Sequence, residues 1–326
     1  MPDWRGVAYF SGVGLFVANA RNAEGAPLGG LPALVELARE GALRHVFVQT
    51  RGGADVNDNV ARLDGWRARL APAGVRVHCW VFCDSDPDGD AQHVLALRGR
   101  VDGAVLNCED AYEYGHAGAA AFDRTRRLLE PLRGRLPLAL STYNFPSRWA
   151  LDWRAFEATC GALLPQAYVN EQPDWTPAAL VKDAFKAAQL TVGWWYRVRF
   201  TNGSSPALRW CLVEGFDAKR SWLVVKDGLN RWRCPVTVSA AGALVPRADR
   251  AVVNAQTGKL VGELLGQWRA GAVFPTLPTY AGRLGRPSAA ELGRLVAAAR
   301  VAGASLYLGE LSSPDDVRAV AASLAR

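Results

Sequence analysis

The sequence predicts an α/β fold, a (β/α)8 barrel interrupted by a small antiparallel β module. Three observations point there. Short apolar, β-rich runs alternate with longer helical patterns along most of the 326 residues. The runs number eight, the strand count of such a barrel. A Trp- and Arg-rich island of different composition breaks the series between the sixth and seventh runs. Alternation of strand and helix implies parallel strands joined by right-handed crossovers. An open doubly wound sheet would instead need a glycine-rich phosphate loop or a switch-point crevice. Gly12-Val-Gly14 lacks the rest of a dinucleotide fingerprint.

Taken in order, the first expected strand is Val13 to Ala18. The apolar stretch Gly6 to Ala18 with Ala18-Asn19-Ala20 behind it also has the outline of a signal-peptide core. Asp3 beside Arg5 gives no basic excess, however, and removing the stretch would delete the first strand, so the structural reading is adopted. The further strands are His45 to Thr50, Val75 to Cys83, Gly103 to Glu109, Pro137 to Tyr143, Leu163 to Val169, Val273 to Thr279 and Ala304 to Leu308. Helices carry their own punctuation. Leu31 to Glu40 stops at Gly41, Asn57 to Leu70 precedes Pro72 and Gly74, and Ala119 to Leu132 precedes Gly134. Thr176 to Ala188 follows the sixth strand, Ser288 caps Ala289 to Val301, and Ser313-Pro314-Asp315-Asp316 opens the last helix. No apolar run approaches the roughly 18 residues that cross a bilayer, so no membrane partner is expected.

The island divides the chain into barrel strands one to six (1–192), the inserted module (193–269) and strands seven and eight (270–326). Between Trp194 and Trp268 stand eight Arg and three Lys against five acids, which is +6 of the chain's +7, and six of its twelve Trp. Segments Trp195 to Thr201, Leu208 to Val213, Ser221 to Val225 and Val236 to Ser239 read as strands around Asn202-Gly203, Asp227-Gly228 and Gly242. By chain order the module interrupts an αβ connection, on the side of the barrel away from the catalytic mouth. Its Trp serve as core, as a surface for glycan or polyanion, or as a docking face for a protein assembly. The six cysteines form no CxxC pair and read as reduced thiols of a cytosolic product, with Cys211 and Cys234 the one plausible disulfide.

The stretch Gly103-Ala-Val-Leu-Asn-Cys-Glu-Asp110 runs from a buried strand straight into two carboxylates. In a parallel barrel the C-terminal strand ends face the mouth, where acids persist for chemistry or well paired. By parity, Asn107 and Glu109 point inward while Leu106 and Cys108 face the helices; on the third strand His78, Trp80, Phe82 and Asp84 point inward. Gln166 and Tyr168 share a face on the sixth strand, and Tyr143 and Asn144 end the fifth. Acids, amides, Tyr and an aromatic wall suit a sugar ring, whose hydroxyls want polar forks and whose apolar face stacks.

On these residues the chain resembles the barrels of family 25 lysozymes and family 18 chitinases, including those of bacterial and phage wall-active proteins. The likeness rests on Asn107-Cys-Glu109, Gln166-Ala-Tyr168 and Ser305-Leu-Tyr-Leu308 and covers roughly residues 12 to 190 and 270 to 326. In those families the fourth strand ends in D-x-E with the glutamate as general acid, so the resemblance implies that role for Glu109. It also implies contacts of Gln166 and Tyr168 with the sugar and its N-acetyl group, and an amino-sugar polymer such as peptidoglycan as substrate. The chain departs at Asn107, where the pattern has Asp. A second group must then come from Asp84, Asp110 or Glu310, or from the substrate's own acetamide held by Asn107 and Tyr168. Two alternatives stand beside catalysis: Glu109 paired with an arginine such as Arg51, or a catalytically inactive barrel that serves as a structural or receptor-binding part of an assembly such as a phage tail.

Asp84-Ser-Asp-Pro-Asp-Gly-Asp90 fits the first half of a calcium loop, but Leu95 stands where the bidentate Glu belongs, and helix capping explains the acids equally. The four His lack metal-ligand spacing and no GxSxG elbow occurs. No cofactor and no metal is therefore expected. The expected partner is a polysaccharide, with nucleic acid disfavoured. Tyr112, Glu113, Tyr114 and His116 are expected to loop over the mouth. Localisation is read as cytoplasmic synthesis without a signal peptide, then association with a virion or release onto the cell wall.

Overall fold

The computed structural model describes residues 9–23, 29–52, 55–84, 86–109, 119–143, 151–168, 195–201, 207–217, 221–227, 230–238, 244–247, 249–267, 274–282, 285–299, 303–307 and 311–324. In chain order the first strands are β1 (Gly12–Val17), β2 (His45–Gly52), β3 (Asp55–Val56), β4 (Arg76–Cys83), β5 (Gly103–Cys108), β6 (Leu138–Tyr143) and β7 (Ala162–Gln166). There follow β8 (Trp195–Phe200), β9 (Ala207–Asp217), β10 (Trp222–Asp227), β11 (Asn230–Val238), β12 (Leu244–Pro246), β13 (Ala251–Asn254) and β14 (Leu260–Gln267). The last two are β15 (Thr276–Pro278) and β16 (Gly303–Tyr307).

Eight parallel strands run β1-β16-β15-β7-β6-β5-β4-β2, and β1 pairs with β2 to close the ring. This is a (β/α)8 barrel. Among the described strands of this sheet only β3 is antiparallel, paired to the end of β2. The strands were legible because they are covered on both faces and so read as unbroken apolar runs; all six residues of β5 are buried. One side of each strand fills the interior, where Phe10, Phe16, Phe47, Trp80, Val105, Ala139, Ala162, Leu164 and Phe274 pack together. Gly14 is a strand glycine for want of room: a β-carbon there would stand 2.4 Å from the Phe47 ring.

The helices end where the sequence punctuates them. Ser313 and Asp316 form a reciprocal capping box at Pro314–Ser323. Ser288 and Glu291 bond each other's backbone N–H ahead of Ala289–Ala299. Two helices extend the expected series. Pro87–Ala96 is capped by Asp86, and Trp153–Thr159 by Asp152. Asn57 to Leu70 divides into a 3-10 turn, Asp58–Arg62, and a helix, Leu63–Leu70.

At the N-terminal end of the barrel, His45 and His78 are buried side by side. His45 Nε2 stands 2.9 Å from the Ser11 carbonyl and so carries the proton; His45 Nδ1, 3.1 Å from His78 Nε2, must then accept. His78 Nδ1 is left as a buried acceptor with no hydrogen-bond partner. Burial lowers His45 to about 4 and His78 well below its ordinary value, so both rings are neutral in the fold. The unfolded chain takes up protons that the folded chain refuses, so this pair withdraws stability as pH falls from about 6.5 towards 4. Denaturant unfolding of His78→Phe should lose less stability over that window than wild type; equal losses would refute the assignment.

The antiparallel strands form a compact unit of their own. In order β10-β9-β8-β14-β13-β11, closed by β10 on β11, they make a six-stranded barrel with β12 appended to β11. Four strands were expected, and seven are present. The β13–β14 and β14–β8 ladders shift register beside Gly262 and Gly266, which breaks the period-two pattern a sequence reading follows. Val198, Phe200, Leu223, Val225, Trp232, Cys234, Val236, Val252 and Leu264 are buried here. Cys234 is a free thiol that burial pushes up to about 12. The Cys211–Cys234 disulfide does not form: β10 lies between their strands, two ladder spacings of about 4.8 Å apart, beyond a disulfide's reach. In sequence these strands fall between β7 and β15, and the expected helix Thr176 to Ala188 lies outside the described residues.

Candidate active site

Glu109 is the first residue beyond β5, and Asn107 lies two residues back on the same inward face. Asn107 Nδ2 donates to Glu109 Oε1 at 2.8 Å. Gln166, last residue of β7, reaches across from two strands away: its Nε2 donates to Asn107 Oδ1 at 3.0 Å and to Glu109 Oε1 at 2.5 Å. Because Gln166 donates to Asn107 Oδ1, the Asn107 amide is turned so that its own N–H2 meets the carboxylate. Asn107 and Gln166 are 7% and 6% exposed, so the clamp is set in a largely dry wall rather than in open solvent.

An aromatic wall stands at the ends of neighbouring strands. Tyr168 stacks on Tyr307, with ring centres 5.5 Å apart and planes at 21°. Tyr280 meets both edge-on, at 5.8 and 6.2 Å. Trp80 lies edge-on to Tyr307 at 6.5 Å, and its indole N–H donates to the Val17 carbonyl at 3.3 Å. Phe82 packs against the same interior cluster. Tyr280 and Tyr307 were absent from the expected site. Tyr307 carries a parity signal on the last strand, whereas Tyr280 follows a strand of only three residues, too short for parity to place it.

The Asp-rich segment has other duties. The pairing Cys83↔Cys108 brings Asp84 and Glu109 off adjacent strands side by side, and Asp84 Oδ1 accepts from the Asp86 N–H at 3.3 Å. Asp86 caps the following helix through the Gly89 N–H, Asp88 pairs with Arg127, and Asp90, wholly buried, accepts from Arg51 Nε at 2.8 Å. Arg51 also reaches Asp86 at 3.0 Å. The arginine considered as a partner for Glu109 is thus held by Asp86 and Asp90 on the side of the loop. Capping and ion pairing account for Asp86, Asp88 and Asp90, and among the described residues no group of three or more His, Cys, Asp or Glu is placed to hold a metal ion. Asp110, Asn144, Glu310 and the segment with Tyr112, Glu113, Tyr114 and His116 lie outside the described residues, as does the side chain of Tyr143. No helix among the described residues is long and apolar enough to cross a membrane.

The closed parallel barrel thus carries a carboxylate clamped by two amides at a C-terminal strand end. No family model matches the sequence, and no curated protein does. Among solved structures the chain is similar to the Group IV chitinase of Ostrinia furnacalis in complex with allosamidin, at a TM-score of 0.48 and 9% identity over 95% of this chain and 97% of that one. It is similar also to the GH18 chitinase ChiB from the chitin utilization locus of Flavobacterium johnsoniae (TM-score 0.44, 9% identity, 96% and 94% covered). A third is the spore cortex-lytic enzyme SleL of Bacillus megaterium QM B1551 (TM-score 0.44, 9% identity, 96% and 74% covered).

Proposed function

We propose that this barrel hydrolyses an amino-sugar polysaccharide such as peptidoglycan, with Glu109 as the general acid. One observation carries the reading: the Glu109 carboxylate is fixed by Asn107 and Gln166 at the end of β5, in a barrel whose strands β7, β15 and β16 end in the packed rings of Tyr168, Tyr280 and Tyr307. Glu109 would pass its proton to the glycosidic oxygen as that bond breaks. The cation developing at the anomeric carbon needs a partner, and Asn107 carries no charge to offer. The acetamide oxygen of a 2-acetamido sugar can attack that carbon instead, and water then opens the cyclic intermediate with Glu109 recovering its proton. Asp84 would assist as the second carboxylate, a role supported by its strand and that of Glu109 being neighbours in register through Cys83 and Cys108. Asp110 and Glu310 complete the candidates, with Tyr143 and Asn144 as further sugar contacts. A protein of this activity would work on the wall, carried there on a virion or by release.

The test is release of reducing sugar from purified cell wall, and from N-acetylated against de-N-acetylated oligomers, by wild type and Glu109→Gln. Cleavage of the de-N-acetylated oligomer at the wild-type rate would remove the acetamide from the mechanism. Asn107→Asp should raise turnover roughly tenfold by adding a carboxylate near the developing charge; unchanged turnover would show that position 107 does not serve the chemistry. A second reading is favoured by Asn107 itself, which satisfies Glu109 with an amide as a purely binding site would. On that reading the barrel is an inactive glycan- or receptor-binding part of an assembly such as a phage tail, and wild type releases no sugar at all.

A further inference from the structure

The outward side of the β10–β11 hairpin is a basic and aromatic face that the proposed hydrolysis leaves unused. Leu223, Val225, Trp232, Cys234 and Val236 are buried, so alternation turns Trp222, Val224, Arg231 and Arg233 outward. Trp232 serves the core, 6% exposed with its ring 4.6 Å from Phe200. Trp222 is only half-buried, and the Arg233 guanidinium lies over its ring at 5.8 Å. Arg231 and Arg233 are exposed two residues apart on one strand, a spacing of about 6.8 Å. In register, Val224 faces Arg233, Lys226 faces Arg231 and Pro235 faces Trp222. Exposed Arg247 joins the edge, its N–H donating to the Pro235 carbonyl. The neighbouring acid in register is Asp217, opposite Trp222. Arg199 and Arg250 lie apart from this face, both within 4.0 Å of Glu263.

We propose that this face binds an anionic sugar–phosphate polymer of the cell wall and holds the protein on the wall that the barrel cleaves; the choice of a wall polymer rests on the hydrolytic reading above. Arginine forks match phosphate oxygens two at a time, and cations repeated along a strand match charges repeated along a chain. The indole supplies one apolar ring face for a sugar. Among the described side chains of the β10–β11 face one indole is offered, which suits a polyol or sugar chain better than a single-stranded nucleic acid, whose successive bases need successive aromatic platforms.

The experiment is anisotropy titration of the full chain with a labelled, glycosylated poly(glycerol phosphate), with neutral dextran, and with a single-stranded dT oligomer of equal charge, at two salt concentrations. The glycerol phosphate polymer should bind and dextran should not. Arg231→Glu/Arg233→Glu should weaken binding at least tenfold, by about 1.4 kcal/mol, and reduce the salt slope by about 1.4, the release expected for two flexible-chain phosphates. Hydrolysis of a short soluble oligomer by that variant should be unchanged. Trp222→Ala should weaken the glycosylated polymer more than an unglycosylated one. Unchanged affinity in the double variant, or tighter binding of the dT oligomer than of the wall polymer, overturns the proposal. Because Glu109→Gln should bind the polymer as wild type does, failure of this inference is distinguishable from failure of the hydrolytic one.

Discussion

Glu109→Gln should lower turnover on wall glycan about a thousandfold, within the range of about 10²–10⁴ supplied by a positioned general acid. The change is nearly isosteric. The Gln oxygen can still accept from Asn107 Nδ2 and Gln166 Nε2, which now meet on a single carboxylate oxygen. Packing of the mouth and the unfolding midpoint should therefore stay close to wild type, and what disappears is the transferable proton. Since the loss falls on the chemical step, kcat should drop while KM moves little. Initial rates of reducing-sugar release, read beside a thermal unfolding scan, check both parts. Turnover within tenfold of wild type would take Glu109 out of the mechanism.

Arg51→Met should destabilise the barrel by about 3–5 kcal/mol, the usual cost of removing one partner of a buried ion pair. Asp90 is wholly buried, Arg51 is 7% exposed, and Asp90 Oδ2 has no hydrogen-bond partner, so the Arg51 Nε bond on Oδ1 is its main compensation. With Met at 51, the buried carboxyl is left without its arginine partner. Adding Asp90→Asn should recover more than half of the loss, and a double variant as unstable as Arg51→Met alone would refute this account. The pair has a pH signature as well. Burial raises Asp90 to about 6 against the opposing pull of Arg51, so the folded state holds a proton that the unfolded chain has released. Stability from this group is full below about 3.8 and is lost as pH rises through about 6. Its slope is opposite in sign to that of the buried histidines, so Asp90→Asn should flatten a fall and His78→Phe a rise across overlapping windows. Difference curves against wild type separate the two.

Much of the barrel was legible because its signal is local. A parallel strand covered on both sides is an apolar run, and the eight runs fall within a few residues of β1, β2, β4, β5, β6, β7, β15 and β16. Side-chain alternation is equally local, and it set Asn107 with Glu109, Gln166 with Tyr168 and Trp80 with Phe82. The antiparallel unit was half legible: β8 to β11 each overlap an expected strand, while β12 is short and β13 and β14 shift register at glycines.

What the sequence determined by itself is the strand series, the face each side chain takes and the residue types gathered at the mouth. Tertiary structure alone decided who meets whom: Gln166 with Glu109, 57 residues apart; Arg51 with Asp90, 39 apart; His45 with His78, 33 apart. The physical reason is that periodicity reports burial over a turn or a pleat. A hydrogen bond between distant residues depends instead on closure and register, which are properties of the whole ring and leave no trace in any one segment.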